Sequence, residues 1–126
     1  MHYSRLVSIV IDCAEDEFET GAEFWSEALG RPRMPRSERF ASVRGRIGGE
    51  GGVYVGLQRV PRSERAIHLD IETDDVEAEV SRLESLGARV KARIRRHVVM
   101  VAPSGHAFCV VPAARSDFPA GAARWP

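Results

Sequence analysis

Apolar and polar positions alternate in several short stretches of the chain and recur at helical spacing in two others, which predicts strands punctuated by two helices. Tyr3 to Asp12 alternates, with Val7, Ile9 and Ile11 on one face and Leu6, Ser8, Val10 and Asp12 on the other, so it reads as a strand. Asp16 with Glu19 three residues on predicts a capped helix start. Phe18, Ala22, Trp25 and Leu29 then form an apolar stripe, and Gly30 supplies the stop. Past the Pro/Arg-rich loop Arg31 to Arg39, with a short strand near Arg33, come strands Phe40 to Ile47 and Val53 to Val60 around a glycine turn.

The same order then returns. Ile67, Leu69 and Ile71 alternate with His68, Asp70 and Glu72, a strand with two unlike faces. Asp74 and Glu77 repeat the acidic cap, Val76, Val80, Leu83 and Leu86 repeat the stripe, and Gly87 repeats the stop. Ala88 to Ile94, His97 to Ala102 and Ala107 to Pro112 follow, the last two joined by a Pro103-Ser104-Gly105 turn. The chain is therefore a tandem of two β-α-β-β-β units, the sort of internal repeat that fixes an architecture.

At 126 residues the chain is expected to be one domain over 1–115, divided into halves 1–62 and 63–115, with a C-terminal tail 116–126. Formal net charge is zero, which leaves no electrostatic footprint for nucleic acid or an anionic membrane. No apolar run is long enough to span a bilayer and the first residues lack a signal-peptide pattern, so the expected location is cytoplasmic. Cys13 and Cys109 are isolated and are expected to be reduced and buried, not bridged. The stretch from Ala113 onward is rich in Ala, Pro and Gly and is expected to be partly disordered, with Phe118 and Trp125 as the residues able to pin it.

The tandem, with Ile11-Asp12-Cys13-Ala14, Phe24-Trp25, Ala28-Leu29-Gly30, Gln58-Arg59-Val60-Pro61, His68-Leu69-Asp70 and Phe108-Cys109-Val110-Val111, resembles the glyoxalase / bleomycin-resistance / dioxygenase superfamily, the vicinal oxygen chelate fold, over residues 5–112. The resemblance implies an α+β fold in which the two βαβββ repeats form a curved, cup-like mixed sheet with helices outside, and it implies a homodimer. It also implies four cup-facing ligand places, which fall here on Ser8, Gln58, His68 and Cys109. Where metal-binding members carry histidine, glutamate or glutamine, histidine and glutamate, only His68 and Gln58 fit, which makes them the metal candidates. Ser8 is a poor ligand, and Cys109 replaces a carboxylate by a thiol.

Two chemistries follow from the residues. His68, with Asp70 two positions on along the same strand face, is the candidate catalytic pair for acid–base work, an arginine partner for Asp70 being the structural alternative. Tyr54, Gln58, His68 and Cys109 are the candidate ligand contacts, an aromatic wall with a few polar groups. The apolar neighbours of Cys109 favour an inert thiol. Arg44 and Arg46 share a strand face and would suit a carboxylate or phosphate if it faced the cup. The expectation is a protein that binds a small hydrophobic or aromatic metabolite or antibiotic without an intact glyoxalase metal site. The alternative is a metal-dependent lyase, isomerase or dioxygenase with zinc, nickel, manganese or iron acting on vicinal oxygens.

Overall fold

A computed structural model describes all residues, 1–126. The order of elements is β1 (His2–Ala14), α1 (Phe18–Leu29), β2 (Arg33–Pro35), β3 (Phe40–Val43), β4 (Tyr54–Val60), β5 (Ile67–Thr73), α2 (Val76–Ser85), β6 (Arg89–Ile94), β7 (His97–Val101), β8 (Ala107–Pro112) and β9 (Ala123–Trp125). The chain is α+β and divides into two compact modules. The first is Ser8–Ile67; the second is His68–Pro126 together with Met1–Val7. Strand β1 thus contributes its start to one module and its remainder to the other.

In the first module β1 runs parallel to β4, and β3 and β2 extend the sheet antiparallel. Helix α1 covers one face through Phe18 and Ala22, which pack with Cys13, Ala41 and Leu57, while Trp25 closes the margin. The expected stripe is therefore the buried one. Its start differs from expectation. Glu15–Glu17 form a 3-10 turn and no side chain caps the helix. Asp16 and Glu17 are instead held by Arg62, and Glu17 by Arg65. The guanidiniums compete for carboxylates that a backbone cap would otherwise use. Gly30, at φ 65°, ends the helix as expected, donating to Glu27 O while Arg31 N reaches Ser26 O.

Strand β3 stops at Val43, short of the expected Ile47. Gly45 takes φ 77°, which breaks the pleat, so Arg44 and Arg46 do not share a strand face. Arg46 lies 5.0 Å over the Tyr54 ring.

In the second module β5 pairs parallel with β8, and β7 and β6 follow antiparallel. Helix α2 covers the face of Val98, Met100 and Val110 through Val80. Its cap is Asp75, which accepts from Ala78 N at 3.0 Å; the expected Asp74 accepts from Tyr3 N at 2.8 Å. Two adjacent aspartates make both readings of the sequence equal, and the backbone of β1 decides between them.

Polar groups that the sequence does not mark as buried hold this module together. Glu79 is 0% exposed on α2, 2.7 Å from His2 Nε2 and clasped by Arg82 at 2.8 and 2.9 Å. Burial pushes its carboxyl up, but the hydrogen bonds from Arg82, His2 and Ser4 hold it below the usual carboxylate range. Arg5 donates to Glu72 at 2.7 Å, to Asp117 at 2.8 Å and to the Ala120 carbonyl, with the Phe118 ring beneath it. The tail is accordingly ordered, contrary to the expectation from composition. β9 pairs antiparallel with the start of β1, Trp125 donates to Ser4 Oγ at 2.8 Å, and its ring lies 3.8 Å from the Arg82 guanidinium. No helix is long and apolar enough to cross a membrane.

Candidate functional site

In each module the helix occupies one face of the sheet and the chemistry-bearing side chains point from the other. Along β5, Leu69 and Ile71 alternate with His68 and Asp70. The parallel register sets Asp70 beside Cys109 on β8, with Val99 of β7 next in the row. Val110 is fully buried under α2, so Cys109, its neighbour, must point to the opposite face, where it is half-buried. The expectation of a buried core thiol fails here. Flanking apolar residues do not bury a side chain that alternation turns away from them.

His68, Asp70 and Cys109 form a tight group. An imidazole nitrogen, a carboxylate oxygen and the thiol sulfur all lie within 4.8 Å of one another. His68 Nε2 is 3.4 Å from Asp70 Oδ1, with the two side chains 17% and 22% exposed. Asp70 Oδ1 is buried and accepts no hydrogen bond, and no arginine pairs with this carboxylate. Glu72, the third ionisable residue of the strand, is taken by Arg5 and does not join the group.

Tyr54 and Gln58 lie on β4 in the first module. The register sets Ser8 beside Tyr54, Val10 beside Gly56 and Asp12 beside Gln58. Since Cys109 stands beside Asp70, the matching trio of the first module is Val10, Asp12 and Gln58. Ser8 lies two residues behind the place that His68 holds. The first copy therefore keeps an aspartate and an amide but has no imidazole or thiol on this face. Its one cysteine, Cys13, points into the core under α1; burial pushes its thiol up, and Asp12 and Glu17 add to the effect.

A metal of the kind that the superfamily resemblance implies would not find its four places filled with good donors, because Ser8 offers a buried hydroxyl and Gln58 a neutral amide. His68 and Cys109 do fit, and Asp70 adds a third donor beside them. Imidazole, thiolate and carboxylate are all ligands of zinc. Two surface depressions lie elsewhere. One of about 370 Å³ lies at the start of α2 among Asp74, Glu77 and Arg93, and one of about 780 Å³ lies between Phe18, Arg33, Phe40 and Arg59. The arginines Arg33, Arg59 and Arg93 already hold glutamates there, so charge in these hollows is largely matched.

Paired βαβββ modules with the helix on one face and polar donors on the other define the class of glyoxalase-fold proteins. Residues 8–111 match the glyoxalase-like domain family, and the chain belongs to that family, within the glyoxalase / bleomycin-resistance / dioxygenase superfamily. Solved structures agree on the fold. A Legionella pneumophila protein described as an NAD-dependent benzaldehyde dehydrogenase is 14% identical with a TM-score of 0.62, covering 85% of this chain and 98% of its own. A superfamily member from Vibrio splendidus 12B01 is 17% identical at 0.52, covering 87% and 99%. A mutant 4-hydroxymandelate synthase from Streptomyces coelicolor is 16% identical at 0.51, and this chain, covered over 90%, spans 50% of it. Comparison with curated proteins found no match.

Proposed function

We propose that the protein binds a small hydrophobic or aromatic metabolite or antibiotic carrying a polar group, with His68, Asp70 and Cys109 as the polar contacts. The observation that carries this reading is the half-buried trio on the helix-free face of the second module, where a buried carboxylate oxygen has no hydrogen-bond donor. A ligand hydroxyl or amine would meet it, and an unmet buried acceptor costs about 1–3 kcal/mol. Tyr54 and Gln58 belong to the proposal as contacts expected from the family resemblance. The test is a thermal-shift panel of aromatic metabolites and antibiotics on chelator-treated protein. A binder at 100 times its dissociation constant stabilises by about 2.7 kcal/mol, and the shift should shrink in His68→Ala. A panel without any shift, or shifts equal in both proteins, overturns the reading.

The second reading, a metal-dependent lyase, isomerase or dioxygenase, is favoured by the proximity of three metal-competent donors. A metal there would supply Lewis acidity toward vicinal oxygens of a substrate, and turnover should vanish in His68→Ala. The proposal includes a cytoplasmic homodimer, twofold pairing being the commonest assembly. A monomer mass by light scattering at micromolar concentration refutes that part.

A further inference from the structure

From the geometry we infer that the helix-free face of the first module is a seat for a flat aromatic carboxylate, centred on Gly56 and read by Arg46 and Arg36. The inference rests on the small-molecule reading, to which it gives a ligand class, and it assigns the recognition of charge to residues that the reading does not use.

Gly56 is the starting point, because nothing in the protein requires a glycine there. It stands inside β4, where glycine weakens a strand. A strand glycine ordinarily marks a bulge, a special backbone conformation or the close approach of something else. The pairing runs without a shift on both sides, Val10 with Gly56 from β1 and Ser42 with Gly56 from β3, so there is no bulge. Its φ lies outside the left-handed region, and a Cβ would meet only Ala41 O and Val10 Cγ2, both at 3.8 Å. In the second copy Ala107, two residues before Cys109 as Gly56 is two before Gln58, carries that extra methyl. The glycine therefore leaves an unfilled place on the face, and a ligand is the remaining occupant.

Its surroundings name the chemistry. Leu57 and Ala41 pack under α1, so alternation turns Ser42, Gly56 and its strand neighbours Tyr54 and Gln58 to the other face. Phe40, opposite Gln58, is 44% exposed there. A flat ring resting about 3.5–4.0 Å above the Gly56 backbone would meet aromatic side chains at its margins. Two guanidiniums serve the same face. Arg46 lies 5.0 Å over the Tyr54 ring, and Arg36 donates from Nε to Ser42 Oγ at 2.9 Å, which holds its fork beside Gly56 with the terminal nitrogens turned to a ligand's use. The carboxylate of this face, Asp12, stands beside Gln58, on the opposite side of Gly56 from Tyr54 and Arg46. Positive charge at one end and negative charge at the other orient a guest with its anion toward Arg46. A ring bearing a carboxylate fits that polarity.

Calorimetric titration of the full chain with benzoate, phenylacetate and cinnamate, each beside its neutral amide, is the test. At least one acid should bind with a dissociation constant below about 1 mM, and its amide at least about tenfold more weakly. Arg46→Gln should lower affinity for the acid roughly 10–100-fold and remove the preference over the amide. Arg89→Gln, which removes the same charge from β6, should leave affinity unchanged. Gly56→Ala should raise the melting temperature of the free protein and weaken the acid, and Gly56→Val should abolish binding. Failure of every acid to bind, an amide that binds as well as its acid, undiminished affinity in Arg46→Gln, or a lower melting temperature in Gly56→Ala would each overturn the proposal. Aromatics whose thermal shift vanishes in His68→Ala but survives in Gly56→Val would leave the small-molecule reading standing and overturn this one, whereas a panel without any binder overturns both.

Discussion

The two modules repeat one order of elements and place their charges in opposite ways. Around α1, Arg33, Arg59, Arg62 and Arg65 meet Glu15, Asp16, Glu17 and Glu19 at the surface, with Arg59 lying 4.0 Å over Phe18. Around α2 one such surface pair remains, Glu77 with Arg93, but Glu79 and His2 interact in the interior with Arg82 at its margin, and Arg5 with Glu72 does so close by. The sheet faces differ in the same sense. Val10, Asp12 and Gln58 stand in the first copy where His68, Asp70 and Cys109 stand in the second. The lesson is that duplication supplies two equivalent scaffolds, and the copy that carries the strong donors is also the copy stitched internally. Surface pairs are worth little, whereas a buried pair is dangerous to break.

Substitutions can break that contrast. The largest effect is expected for Arg5→Met, which leaves Glu72 buried and unpaired. It should cost about 3–5 kcal/mol in denaturant unfolding, and the double variant with Glu72→Leu should recover part of the loss. A double variant no more stable than the single one would show that the tail contacts, not the charge pair, matter most. Next comes Glu79→Gln, read against pH. The carboxyl of Glu79 is held below its unfolded value, so its contribution is present above about pH 4.5 and fades as pH falls through the lower folded value. The variant should therefore flatten the acid limb of a stability-against-pH curve, and an unchanged limb would refute the assignment. Arg59→Met should cost on the order of 1 kcal/mol, through lost contact with Phe18. Smallest of all, Glu19→Gln should leave the unfolding midpoint unchanged within error, because its partners Arg33 and Arg59 are exchanged readily for water. A marked loss there would erase the distinction between the modules.

Periodicity made the tandem legible. Alternation located β1 and β5, apolar runs around the Pro103-Ser104-Gly105 turn located β7 and β8, and the stripes of Phe18–Ala22 and Val80–Leu83 located the helices. What it could not resolve was competition among groups of one kind. Asp74 and Asp75 are equally good caps, and only Tyr3 N, distant in sequence, separates them. Glu79 sits among charged residues of α2 and reads as solvated, because its partner His2 lies 77 residues away. Of the candidate site, His68 and Asp70 were visible as one face of a strand. Cys109 was visible as a position but not as a half-buried thiol on the helix-free face, since apolar neighbours hid the consequence of its alternation with Val110. Ser8 illustrates the remaining limit: a register of Ser8 with Tyr54 is set by pairing, which spacing within one strand does not encode.

The knot around Arg5 also dictates a timetable. Its acceptor on Asp117 lies 112 residues downstream, and the Ala120 carbonyl lies farther still. Contacts that close such long loops form late. At ribosomal speeds of about 5–20 residues per second, β1 waits roughly 6–22 seconds for Asp117 to be synthesised. Until then an arginine destined for the interior must remain in water. Arg5 is therefore made 112 residues ahead of the side chain that completes its contacts.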